Sequence, residues 1–137
     1  MKKWIAILLV MLFLVVVTVF FVLRDRDSVN TRENSVFFSE EQIKDTDSVV
    51  EILASGEFSP KDLSVNKGDR VVWVNKSDKY VWPASDLHPT HAIYSEFDPL
   101  EPMAPNEAWG FVFERVDNWK YHDHLRPFST GTIRVIE

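Results

Sequence analysis

The stretch from Trp119 to Val135, Trp-Lys-Tyr-His-Asp-His-Leu-Arg-Pro-Phe-Ser-Thr-Gly-Thr-Ile-Arg-Val, leaves the end of this chain few ways to fold. Aromatic and polar residues alternate from Trp119 to His122, and apolar and polar ones alternate again from Thr132 to Val135. That period of two belongs to a half-buried strand. The expectation is a strand, a histidine-bearing loop turned by Pro127, and after Gly131 a closing strand. Alternation puts Trp119, Tyr121 and Asp123 on one face and Lys120, His122 and His124 on the other. Trp119 and Tyr121 are then core residues.

The same texture begins at Val49. Val49–Leu53, Phe58–Val65, Arg70–Asn75, Ala92–Ser95 and Ala108–Phe113 read as short strands separated by turn residues, the pattern of a small all-β sandwich or barrel. Asn66-Lys-Gly-Asp69 is a turn in which Gly68 supplies positive φ at low cost. The three prolines between Phe97 and Pro105 cannot donate to a ladder, so that segment is a loop, packed by Phe97 and Met103. Trp109, Phe111 and Phe113 share one strand face and are expected in the core.

Ahead of this domain, Trp4 to Leu23 is apolar except for Thr18, a run of 20 residues, about the ~20 that a helix needs to cross hydrocarbon. It is longer than a signal peptide's apolar region, and no small-x-small cleavage site precedes Arg24. An uncleaved, single-pass anchor over 1–27 is expected. Lys2 and Lys3 favour a cytoplasmic N-terminus, partly offset by Arg24 and Arg26, which places the globular domain outside the cytoplasm, at the cell membrane. Residues 28–47 are polar and mixed in charge and read as a stalk, with one helical turn allowed by the capping-box spacing Ser39 to Gln42. The domain is expected over 48–137. Net charge is −6. Residues 1–27 carry Lys2, Lys3, Arg24 and Arg26 against Asp25 and Asp27, so the remainder holds −8. Such an acidic domain repels phosphate backbones and excludes nucleic acid as a partner.

Two segments together resemble the cupredoxins, the plastocyanin-like copper proteins. Phe58 to Asn75 matches F-x-P-x-x-L-x-V-x-x-G-D-x-V-x-W-x-N. The final stretch is similar to the family's ligand loop, roughly G-x-Y-x-Y-x-C-x-x-H-P-x-M-x-G-x-I/V-x-V, whose Cys, His and Met bind copper. The resemblance covers about residues 57 to 137 and implies a Greek-key β-sandwich. It places Asn75 near the metal loops as a brace and His91 in the role of the first copper histidine. Without gaps it also sets Asp123 at the Cys position, Arg126 at the His position and Ser129 at the Met position. Three ligands are therefore replaced.

There is no cysteine in the chain, and a blue-copper centre needs a thiolate. All four histidines nevertheless fall in the two segments that meet at the family's metal site: His88 and His91 in one, His122 and His124 in the other. Imidazoles with a carboxylate suit copper or zinc and disfavour hard ions such as calcium. His91 and His124 lead the candidate ligands, with His122, His88 and Asp123 competing to complete the set. The expected function is a membrane-anchored, extracytoplasmic metal-binding protein, for copper by resemblance or for zinc, with a non-blue site.

Two other readings remain open. Asp123 and Arg126 can pair as opposite charges and lock the loop without metal, leaving a binding or structural module that meets a partner through the loops around Trp82 and Pro99 to Pro105. A zinc-dependent hydrolase is the third, with Glu96, Asp98 or Glu101 as base. No second catalytic motif supports it, and Ser85, Asp86 and His88 are too ordinary a combination for a triad.

Overall fold

The computed structural model describes residues 35–137. The expected anchor over 1–27 and the start of the expected stalk lie outside them. Among the described residues no helix is long and apolar enough to cross a membrane.

The strands are β1 Ser35–Ser39, β2 Ser48–Ile52, β3 Phe58–Ser59, β4 Asp62–Asn66, β5 Arg70–Asn75, β6 Pro83–Ser85, β7 Glu107–Val112, β8 Asp117–Asp123 and β9 Arg126–Ile136, with a 3-10 turn at Glu40–Gln42. They form two sheets, in the orders β1-β7-β5-β2-β3 and β4-β9-β8-β6. β2 runs parallel to β5 and β4 parallel to β9, while the other pairs are antiparallel. The expected all-β sandwich is what the chain forms. Phe58–Val65, expected as one strand, is divided near Pro60, and its halves pair in different sheets.

Between the sheets the interior is aromatic. Trp73 of β5, Trp109 and Phe111 of β7, Phe113 just beyond it and Tyr121 of β8 are fully or almost fully buried, and each such side chain stabilises the fold by about 1.5–3 kcal/mol relative to exposure. Phe97, from the loop between β6 and β7, enters the same cluster, its ring 5.0 Å from Trp73 and stacked 5.8 Å from Trp109. Met103 is buried beside it, in a bridge with Val81. The loop that carries His88 and His91 is therefore pinned to the core downstream of them, as Phe97 and Met103 were expected to do. Ala92–Ser95, expected as a strand, is a run of turns instead. Ser85 explains it: its Oγ sits 2.8 Å from the His91 carbonyl and 2.9 Å from that of Tyr94, drawing the chain into a compact coil.

The reading of 28–47 as stalk is corrected for its described part. Ser35–Ser39 is an edge strand registered on β7, with Phe37 opposite Trp109. Phe37 packs on the main core, and Phe38 on a second cluster of Val72, Val74 and Ala108. Adjacent residues serve opposite faces of one sheet, so Phe37-Phe38 was a strand signal. Gly110 leaves room for the Phe38 ring, and Arg70 lies 5.0 Å above that ring as a cation. Arg70 also forks onto Asp47, Nε to Oδ1 at 2.8 Å and Nη2 to Oδ2. That bond holds the Asp47 carboxyl below the usual carboxylate range against the opposing effect of burial. The allowed helical turn is present, with the Ser39 N–H donating to Gln42 Oε1 at 3.1 Å.

Candidate metal centre

β8 and β9 form a hairpin whose turn is His124-Leu125, two residues ahead of the proline expected to make it. Asp123 pairs with Arg126, yet the next rung joins His122 to Thr130. Residues 127–129 stand out of the ladder between those rungs. Pro127 has no N–H to offer there, and Phe128 beside it is fully exposed. The hairpin thus holds His122 within β8 and His124 at the tip. Opposite, the β6–β7 loop delivers His88 and His91, the latter in the left-handed region at φ 50°.

All four histidines converge. One ring nitrogen from each of His88, His91, His122 and His124 lies within 4.8 Å of the others. His88 Nδ1 is 3.2 Å from His122 Nε2, and His91 Nε2 is 2.9 Å from His124 Nδ1. His91 and His122 are buried, His124 is half-buried and His88 is exposed. Nitrogens bound at about 2.0 Å to one ion sit about 2.8 Å apart at right angles, about 3.3 Å apart in a tetrahedron and about 4 Å apart when opposite. The widest spacing, within 4.8 Å, needs a closure of up to about 0.8 Å for an opposite pair and about 1.5 Å for a tetrahedron. The donor set therefore fits a single ion of the imidazole-preferring class.

Two carboxylates stand behind the ring. Asp98 Oδ2 is 2.5 Å from His91 Nδ1, and Asp86 Oδ1 is 2.9 Å from His122 Nδ1. Asp98 is fixed in turn, because its Oδ1 accepts from Trp82 Nε1 and from the Leu100 N–H, both at 2.8 Å. Trp82 also covers one side of the cluster, its ring 4.7 Å from that of His124. Carboxylate-backed imidazoles of this kind orient and enrich metal ligands. The sequence marks Asp98 only as a candidate base and Asp86 only as a member of an ordinary Ser-Asp-His combination. Their spacing to His91 and His122 in sequence, 7 and 36 residues, carries no motif.

Asp123 does not join the cluster. Its Oδ1 accepts from the Trp82 N–H at 2.9 Å and the Leu125 N–H at 3.1 Å, and its Oδ2 pairs with Arg126 Nη2 at 2.8 Å. Alternation is the reason: Asp123 follows Tyr121 toward the interior, whereas His122 looks the other way. The pair expected as an alternative to the histidine cluster exists beside it. Asn75 braces as expected, its amide donating to the carbonyls of Lys79 at 2.8 Å and Ala104 at 3.1 Å. Of the candidate bases, Glu96 is paired with Arg115 at 2.8 Å and Asp98 is committed to His91. Trp82 spends its indole N–H on Asp98, which takes that group away from any partner.

Burial, then the neighbouring His91, His88 and His122, push the His124 pKa below its ordinary value of 6.5, with Asp98 opposing. The imidazole is thereby kept neutral near pH 7, with a lone pair for a metal. Its folded pKa being lower than the unfolded one, the unfolded chain takes up this proton first, so the His124 contribution is intact above 6.5 and stability falls as pH drops through that value. Chelator-treated protein is expected to melt at a lower temperature at about pH 5.5 than at about pH 7.5. Equal melting temperatures would contradict it.

No protein-family model matches the chain, and no curated protein does. Solved structures do. A reduced, Cu(I) form at pH 4 of an amicyanin point mutant is similar over 76% of this chain and 100% of that one, at 20% identity and a TM-score of 0.64. An oxidised amicyanin point mutant gives the same coverage, identity and TM-score, and a reduced one gives 21% and 0.63. The fold is cupredoxin-like.

Proposed function

We propose that this chain is a membrane-anchored, extracytoplasmic metal-binding module that holds copper in an all-imidazole, non-blue site and keeps or passes on the ion as cargo. The observation that carries this reading is the convergence of four histidines within 4.8 Å, two of them backed by carboxylates. His88, His91, His122 and His124 would be the ligands. Asp86 and Asp98 supply two negative charges one shell further out, which offset a divalent ion on four neutral rings. Copper is favoured by the likeness in fold to amicyanin, reduced forms of which are solved with Cu(I); zinc shares the preference for imidazole. The apolar run from Trp4 to Leu23 supports anchoring.

The test is calorimetric titration of the full chain, in non-ionic detergent and without a His tag, with Cu(II) and separately with Zn(II). One ion per chain is expected, with affinity falling as the medium is acidified, since protons and metal compete for the same nitrogens. The Cu(II) form is expected to lack the intense thiolate-to-copper absorption. Uptake of neither ion would sink the reading. For location, protease added outside intact cells is expected to remove the domain.

A second reading is favoured by the Asp123–Arg126 pair, in which the sandwich is a metal-free binding module locked by that pair. Asp123 is wholly buried while the Arg126 side chain is a third exposed, and Arg126→Glu would leave that carboxylate without its counter-charge, costing about 1–3 kcal/mol. Both readings predict that loss in thermal unfolding. Only the metal-free module also predicts that EDTA leaves the melting temperature of the protein as isolated unchanged.

A further inference from the structure

We propose that Asp98 and Asp86 are positioning residues that set the tautomers of His91 and His122, each keeping the ring proton on Nδ1 so that Nε2 faces the cluster as a bare donor. The ligand role rests on the metal-binding reading above; the tautomer assignment does not.

An imidazole with one proton offers a single lone pair, and whichever nitrogen donates to a neighbour leaves the other as ligand. At His91 the choice is dictated from outside. Asp98 Oδ1 already accepts two N–H groups, from Trp82 and Leu100, so the carboxylate cannot turn, and Oδ2 is left facing His91 Nδ1. At His122 the acceptor is Asp86 Oδ1, and Nε2 is the nitrogen that meets His88. Both inner nitrogens of the buried pair are thus Nε2, whereas His88 and His124 present Nδ1 and, among the described residues, show no carboxylate behind them. The cluster has two rings of fixed tautomer and two that can adjust.

The two carboxylates differ in how they should respond to amidation. In the D98N variant the side-chain oxygen must stay where Trp82 and Leu100 both donate, so the NH2 group points at His91 Nδ1 and donates to it. His91 is then forced to carry its proton on Nε2, the wrong side for a metal. Asp98→Ala instead leaves His91 free to choose, while stranding the Trp82 and Leu100 donors. Asp86 is more exposed, at 29% for its side chain, and among the described residues makes one side-chain bond, so the amide of D86N can rotate and keep its oxygen toward His122.

These expectations separate positioning from mere support. In long-range nitrogen–proton spectra of the metal-free, detergent-solubilised full chain, His91 and His122 are expected as Nδ1–H tautomers. D98N is expected to switch His91 to Nε2–H, and D86N to leave His122 as it is. For Zn(II) affinity, D98N is expected to lose about 10–100-fold, more than D98A, even though D98A melts lower. A purely structural role predicts the opposite order, with affinity loss tracking stability loss. Nε2–H at His91 in the wild type, or D98A weaker for Zn(II) than D98N, overturns the proposal. Nδ1–H at both rings with no Zn(II) or Cu(II) uptake by the wild type overturns the metal-binding function and leaves the tautomer assignment standing.

Discussion

Gly131→Ala is expected to cost about 3 kcal/mol of folding stability and to lower the melting temperature by more than about 10 °C. Gly131 stands directly opposite Tyr121 in the β8–β9 ladder. A Cβ there would lie 2.5 Å from both Cζ and Oη of Tyr121 and 2.6 Å from Cε1, well inside van der Waals contact. The ring has no room to retreat: it is fully buried, with Phe58 at 4.7 Å, Trp73 at 5.5 Å and Phe97 at 5.6 Å. Ring carbons make the conflict as much as the hydroxyl does, so Tyr121→Phe should relieve little of it. Tyr121→Ala should remove most of the extra loss while adding a cavity of its own. The measurement is thermal unfolding of the single and paired variants beside the wild type as double-mutant cycles. A Gly131→Ala protein melting within about 2 °C of wild type would show that the tyrosine does not lie over the glycine.

The largest expected effect on binding comes from removing His91 and His124 together. They occupy opposite walls of the cluster, one in the β6–β7 loop and one at the hairpin tip, with their facing nitrogens 2.9 Å apart. Loss of an outer partner of a metal ligand costs about 10–100-fold in affinity, and loss of two ligands should exceed ~1,000-fold by the same scale. The remaining His88 and His122 form a two-nitrogen site, too few for an ion that takes four ligands. Competition with a chelator of known affinity, for Cu(II) and Zn(II), measures this. Unchanged affinity in the double variant would remove the cluster as the binding site. Because neither ring belongs to the aromatic cluster between the sheets, far-UV circular dichroism should remain that of the wild type.

Much of this architecture is legible in the sequence because it depends on local periodicity. Arg70–Asn75 is a strand as its short apolar run between turn residues implies, the strand through Trp119 and Tyr121 is found where alternation puts it, and Trp109, Phe111 and Phe113 all enter the core as their spacing implies. Four histidines gathered into two segments also forecast that they would meet, and they do. What local pattern misses is decided by partners distant in the chain. Phe37-Phe38 lies in a polar stretch, and only the pairing of Val36 and Ser39 with β7, about 70 residues on, reveals a strand. Asp86 and Asp98 acquire their roles from where the loop folds, which Ser85, Phe97 and Met103 determine. Asp123 joins the candidate ligands because it falls at the Cys position of the family's loop. The face alternation that separates it from His122 is visible in the sequence, but the gapless family alignment gives it a ligand's place.

The edge strand β1 has a consequence for how this domain keeps to itself. β1 occupies the outer side of β7 from Glu107 to Phe111. Were the chain cut after Ser39, β7, still paired with β5 on its other edge, would present an open rim of N–H and C=O groups along the apolar run Ala-Trp-Gly-Phe. Such a rim is a template for any other extended chain, another copy of the same protein above all. The residues of β1, ahead of the expected domain start at 48, therefore act as a selvedge, and a domain trimmed to 48–137 should lose solubility before it loses its core.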